Sequence, residues 1–150
     1  MADKIPVSYA SLGSLPRDPV ALSRYLASLP LFGWRSAPVR EFEIIKELLT
    51  TYVMPPALTA ELYRALGAVP GVTVDRHATD IAGRHGLGFR ITLPPSKYKV
   101  FDELILDSKT LAVMGQQVIF GPGGPSKVSG VVLGTAVLKT ALVAGPGKRP

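Results

Sequence analysis

VPGVTVDRHATDIAGRHGLGFRITLPPSKYKVFDELILDSKTLAVMGQQ, from Val69 to Gln117, decides the fold. Within it Leu87, Phe89, Ile91 and Leu93 recur at every second position, with Gly88, Arg90 and Thr92 between them. That is the period of a strand with one apolar face. Val72 and Val74 alternate with Thr73 and Asp75 in the same way and predict a half-buried strand before it. Pro94 and Pro95 end the second strand, because neither can donate to a sheet ladder. A third strand follows over Phe101–Asp107 through Leu104, Ile105 and Leu106. Asp107, Ser108, Lys109 and Thr110 then have turn chemistry, since an aspartate carboxylate accepts from backbone amides just ahead of it. The chain returns as a fourth strand over Leu111–Phe120. A bulge at Gly115 would explain why its apolar residues change parity from Leu111 and Val113 to Val118 and Phe120.

Beyond this stretch, Gly121–Lys127 (GPGGPSK) is a glycine-rich loop without the GxxxxGK[ST] spacing of a phosphate-binding loop. Val128–Val143 is apolar on both parities and predicts a fifth strand that is central or covered on both sides. Residues 145–150 (GPGKRP) form a flexible tail.

Before the stretch, the period changes to that of helices. Asp18 can cap a helix whose first turn takes Pro19, and Leu22, Tyr25, Leu26 and Leu29 share one face of it. Phe42, Ile45, Leu49 and Tyr52 mark a second helix over Arg40–Val53, with Glu43, Lys46 and Glu47 elsewhere on its circumference. Pro55 and Pro56 separate it from a third, where Leu58, Leu62, Leu66 and Val69 align before Gly67 and Pro70 end it. Trp34, in a connector, reads as a core plug. Residues 1–17 read as an irregular arm, and 18–144 as a single domain. About three N-terminal helices followed by about five strands argue an α+β fold, with the helices packed on a curved, half-barrel-like antiparallel sheet.

Composition narrows the function. A chain of 150 residues with 47% hydrophobic and 19% charged residues is globular. With no cysteine there is no thiol catalysis, disulfide or thiolate metal site. The net charge of +6 is spread along the chain, with at most two adjacent basic residues, Lys148 and Arg149, so a nucleic-acid partner is not favoured. No apolar run of about 18 residues suggests a membrane span, and Met1–Ala10 does not read as a secretory leader.

The densest polar cluster is His77, Thr79, Asp80, Arg84 and His85. Two histidines are too few for a stable metal site, and no GxSxG elbow or charge-stabilising partner supports catalysis by a His–Asp pair. His77, Asp80, Arg84 and His85 are nonetheless the candidate ligand-binding residues. The stronger reading is architectural: Asp80 accepts bonds within its turn, Gly83 takes a positive φ, and Arg84 pairs with Asp80 or another carboxylate. Gly83, Gly86, Asp107 and Thr110 are the candidate structural turn residues. Asp102 and Glu103 are adjacent on a strand and so face opposite ways, which argues against a glycosidase pair.

LPRDPVAL at 15–22, FEIIKELLTTYVMPPALTAELYRALGAVPGVTV at 42–74, TDIAGRHGLGF at 79–89 and ELILDSKT at 103–110 together resemble the C-terminal extracytoplasmic domain of an uncharacterised actinobacterial family of single-pass membrane proteins. The resemblance covers roughly residues 15–120, with matching positions at Pro55, Pro56, Gly71, Asp80, Gly83, Arg84, Gly86, Asp107 and Thr110. It carries no catalytic residues. It implies a domain displayed outside the membrane and often encoded beside an extracytoplasmic-function sigma factor. The family's membrane helix is not in this chain, so the chain is either that outer domain or a free-standing, cytoplasmic relative.

The expected function is therefore a non-enzymatic domain that binds an apolar small molecule or a protein partner, as an envelope sensor or signalling accessory, without a cofactor or metal. A small cofactor-free cyclase or isomerase with an apolar pocket against the sheet is the alternative. An unpaired edge on the fifth strand would permit a homodimer.

Overall fold

The computed structural model describes residues 9–30, 36–94, 98–122, 129–141 and 147–148. Trp34, residues 123–128 of the glycine-rich loop, Leu142, Val143 and most of the tail lie outside them. Four helices come first: α1 (Tyr9–Gly13), α2 (Pro19–Ser28), α3 (Ala37–Thr51) and α4 (Pro56–Ala68). Five strands follow: β1 (Thr73–Thr79), β2 (His85–Leu93), β3 (Val100–Leu106), β4 (Val113–Phe120) and β5 (Gly130–Ala136). They pair antiparallel in chain order as one sheet. The α+β class is as the periodicities predict, and the sheet is not closed into a barrel.

The helices form where cap chemistry and apolar spacing coincide. The Asp18 carboxylate accepts from the Ala21 amide at 2.8 Å, with Pro19 starting α2. Leu22, Leu26, Leu58, Leu62 and Leu66 are all fully buried, as their three- and four-residue spacing requires. The segment read as an irregular arm contains α1, and Leu12 and Leu15 from it are buried in the main core. One helical turn is too short to show a period, which is why three helices are legible and the described residues form four. Gly67 lies inside α4, and the chain turns at Gly71, whose φ of 86° favours glycine.

Pairing register sorts the sheet into two faces. Phe89 lies opposite Leu104, Leu87 opposite Leu106, and Ile91 opposite Asp102, which in turn pairs with Val118. This is the face beneath the helices: Ile91, Leu104 and Leu106 join the main core with Phe42, Ile45 and Leu48 of α3, and Phe89 packs against it. On the other face Arg90, Glu103, Gln117 and Gly134 lie in one row across four strands. Ala78, Ile105 and Met114 form a small second core there.

Glycines let the chain fold closely over that second core. A Cβ on Gly86 would sit 2.5 Å from the Leu106 carbonyl oxygen, and one on Gly134 would sit 2.7 Å from Ile81. Ile81 is in the β1–β2 turn and Gly134 on β5, so the sheet coils enough for its first hairpin turn to reach the far strand. Gly86 is thus a close-approach position within β2 and not a turn residue.

Three further readings are corrected. Val74 is 51% exposed, because β1 is an edge strand and a register shift between Asp75 and Ala78 moves the buried position to Ala78. The fourth strand begins at Val113: Leu111 has φ 59° and closes the turn by donating its amide to the Asp107 carbonyl at 2.9 Å. The parity change does occur beside Gly115, where Met114 is the extra residue between the pairs at Val113 and Gly115.

The fifth strand is the largest difference. Among the described residues β5 is an edge, and Val131, Val132 and Leu133 are 48%, 40% and 68% exposed. Apolar residues on both parities mark a strand that could be covered on both sides. Here the helical layer ends before it.

Candidate functional site

Where the helical layer ends, charge is buried. Glu43 and Lys46 lie one turn apart on α3, and both are largely buried at the helix–sheet interface. They lie off the apolar stripe that the spacing marks, but α3 is buried around most of its circumference, Glu41 included. Lys46 Nζ donates to Glu43 Oε2 at 2.9 Å and to Asp102 Oδ2 of β3. Asp102 is 2% exposed and stands in an apolar row between Ile91 and Val118.

Burial pushes the Asp102 carboxyl up to about 6; Lys46 opposes the shift, and the neighbouring Glu43 carboxyl reinforces it. The folded state therefore holds this proton more tightly than the unfolded chain does. Asp102 adds stability as the pH falls from about 6 towards 4, and that contribution is absent above about 6. Its size should be on the order of 1–3 kcal/mol. Urea unfolding of wild type and Asp102→Asn across this range should show the asparagine variant lacking that gain on acidification. Parallel pH profiles for the two proteins would contradict the assignment.

Lys46 and Asp102, but not Glu43, bound a cleft of about 200 Å³ together with Gln116, Val118, Leu133 and Thr135. A second cavity, of about 330 Å³, adjoins the same flank of α3 at Leu49–Tyr52 and is bounded by Met54, Tyr63, Val113 and Val137. Both lie between α3 and the β4–β5 half of the sheet. Lys46 and Leu49 are about one helical turn apart, and the β4 residues bounding the cavities follow in matching order. The two cavities, one with a polar and one with a mainly apolar wall, lie in line along this α3–β4–β5 groove and share no bounding residue.

The residues singled out from sequence lie elsewhere. Asp80 Oδ1 accepts from the amides of Ala82 at 3.0 Å and Arg84 at 2.9 Å, and Arg84 Nε donates to Oδ2 at 2.8 Å. Arg84 Nη2 also donates to the carbonyls of Met114 at 3.1 Å and Val137 at 2.8 Å. Burial disfavours the charged form of Asp80, but the bonds and charge from Arg84 together with the Ala82 amide outweigh it and hold the carboxyl below its usual value. Asp80, Gly83 (φ 82°) and Arg84 thus pin the β1–β2 turn against the ends of β4 and β5. His77 and His85 are exposed, with His85 Nδ1 3.0 Å from Thr79 Oγ1. None of the four bounds either end of the groove.

The second predicted turn has its expected chemistry: Asp107 Oδ1 accepts from the amides of Lys109 and Thr110 and from the Thr110 hydroxyl, which lowers its pKa. Asp102 and Glu103 do face opposite ways. Glu103, fully buried, accepts from Arg90 and from Gln117 Nε2 at 2.7 Å on the far side.

Sequence reasoning missed Glu43, Lys46 and Asp102. The available signal was phase, since Asp102 falls in register with Leu104 and Leu106, and a carboxylate in a buried row requires a partner. Among the described residues, no three His, Asp or Glu side chains are grouped to hold a metal ion, and no helix is long and apolar enough to cross a membrane. Comparison with protein-family models, with curated proteins and with solved structures finds no match for the chain.

Proposed function

We propose that the chain is a non-enzymatic binding domain whose ligand lies in the groove between α3 and β4–β5. One observation carries this reading. Leu133 pairs with Val118 on the helix-facing side of the sheet, yet it is 68% exposed, so that face is left open beside α3. Apolar surface left open next to buried charge is the usual chemistry of a small-molecule site, where apolar walls supply affinity and a few polar groups fix orientation. The family resemblance supports a role as an envelope sensor or signalling accessory displayed outside the membrane, beside a sigma factor.

Octanol is a suitable first probe, because it tests the apolar groove without charge. Titration followed by amide NMR should shift residues around Leu49, Val113, Val118, Leu133 and Val137. An absence of binding at millimolar octanol, or shifts confined to the turn at 79–85, would overturn the reading.

Asp102 also favours a second reading, as a small acid–base enzyme of the isomerase or cyclase type. A carboxyl near 6 beside a second carboxyl and a lysine is suited to proton transfer at neutral pH. Exchange of solvent deuterium into a bound carbonyl compound, lost in Asp102→Asn, would favour this reading over binding alone.

A further inference from the structure

We propose that the end of the groove beside the last turn of α3 selects a neutral hydrogen-bond donor, an alcohol or amide whose O–H or N–H meets oxygens that can only accept. This rests on the groove being the binding site, and it adds the chemical class of the ligand.

Where the hydroxyl protons go decides the class. Thr50, Thr51, Thr59 and Tyr63 all bound the cavity of about 330 Å³. Thr50 donates to the Lys46 carbonyl at 2.8 Å, Thr51 to Glu47 Oε1 at 3.1 Å, Thr59 to the Pro55 carbonyl at 3.2 Å, and Tyr63 to the Leu111 carbonyl. Each partner is an oxygen without a hydrogen, so the hydroxyl must supply the proton and keeps only lone pairs for anything else. Burial raises the Tyr63 pKa, so that hydroxyl stays protonated and its donation to Leu111 holds at neutral pH. Tyr52 and Thr140, which also bound the cavity, have hydroxyls that can turn either way.

The end of α3 adds acceptors. The cavity adjoins Leu49, Thr50 and Thr51, the last residues of the helix, whose carbonyls lie beyond the reach of the helix's own amides. The position that would donate to the Thr51 carbonyl is Pro55, which has no N–H. A helix C-terminus also carries partial negative charge, which favours an incoming O–H or N–H and disfavours a carboxylate. None of the residues bounding this cavity is charged, so an ion would shed its hydration without a counter-charge. A ketone would set oxygen against oxygen. The neutral donor is the class that remains.

Octanol, 2-octanone and octanoate share one chain length and differ in the head group: the first donates, the second only accepts, and the third accepts and is charged. In calorimetric titration of the full chain at pH 7.5, octanol should bind about fivefold tighter than 2-octanone, the worth of one hydrogen bond, with octanoate weakest. Thr59→Val, and independently Thr50→Val should one variant fail to fold, keeps the side-chain shape and removes one acceptor. Either should bring the octanol-to-ketone ratio down towards one. Equal binding of octanol and 2-octanone by the wild type, or a ratio unchanged in both variants, would overturn the donor preference and leave the groove standing. Tightest binding of octanoate would overturn it too, because the site would then have to supply a donor or a cation. Failure of all three to bind would remove the groove and the donor preference together.

Discussion

Lys46→Met should lower the unfolding free energy by roughly 3 kcal/mol at pH 8 and by clearly less at pH 5. Lys46 is the partner that both Glu43 and Asp102 have in common, and the site has little access to water. Removing the ammonium strands two carboxylates at the helix–sheet interface. Proton uptake relieves the penalty, and for Asp102 that becomes harder the further the pH lies above its raised pKa. At pH 5 Asp102 is already largely protonated in the wild type, so less is lost. The measurement is urea unfolding of both proteins at several pH values. A loss that does not vary with pH would mean that Lys46 contributes through packing of its aliphatic stem and not through its charge.

Arg84→Met should cost about 2–4 kcal/mol and should loosen the β1–β2 turn before the rest of the sheet. The guanidinium pairs with Asp80, whose side chain is 1% exposed, and it also caps the carbonyls of Met114 and Val137. The methionine variant leaves a buried carboxylate held only by amides, and two carbonyls without this donor. Hydrogen exchange should therefore accelerate first at Ala82, Gly83, Arg84 and Val137. Unchanged protection at Val137, with the loss confined to residues 80–84, would show that the turn and the β4–β5 end are not coupled through Arg84.

What could be read from sequence follows a physical division. Leu87–Leu93 reads correctly because a half-buried strand writes its period into the chain, and the turn at Asp107 reads correctly because its hydrogen bonds are local. The bulge beside Gly115 was legible from parity alone. Local chemistry also identified Asp80 and Arg84 as a pair, but not the carbonyls of Met114 and Val137 that Arg84 reaches across the fold.

β5 misled for the opposite reason. Val131, Val132 and Leu133 have the composition of a covered strand, and only the lateral extent of the helical layer determines that they are open. Glu43 and Lys46 were hidden for a related reason: they lie off the apolar stripe of α3, and only the placement of that helix over Asp102 turns them inward. The candidate site is thus made of residues whose burial depends on contacts distant in sequence. The polar cluster at 77–85, dense in sequence, is mostly the hardware of one turn.

The central claim is that ligand occupies the groove between α3 and β4–β5. A crystal structure of the octanol complex tests it most directly. The alkyl chain should lie against Leu49, Val113 and Val137. Octanol seated at the turn that carries His77 and His85, or along the outer edge of β5 with the groove empty, would contradict it.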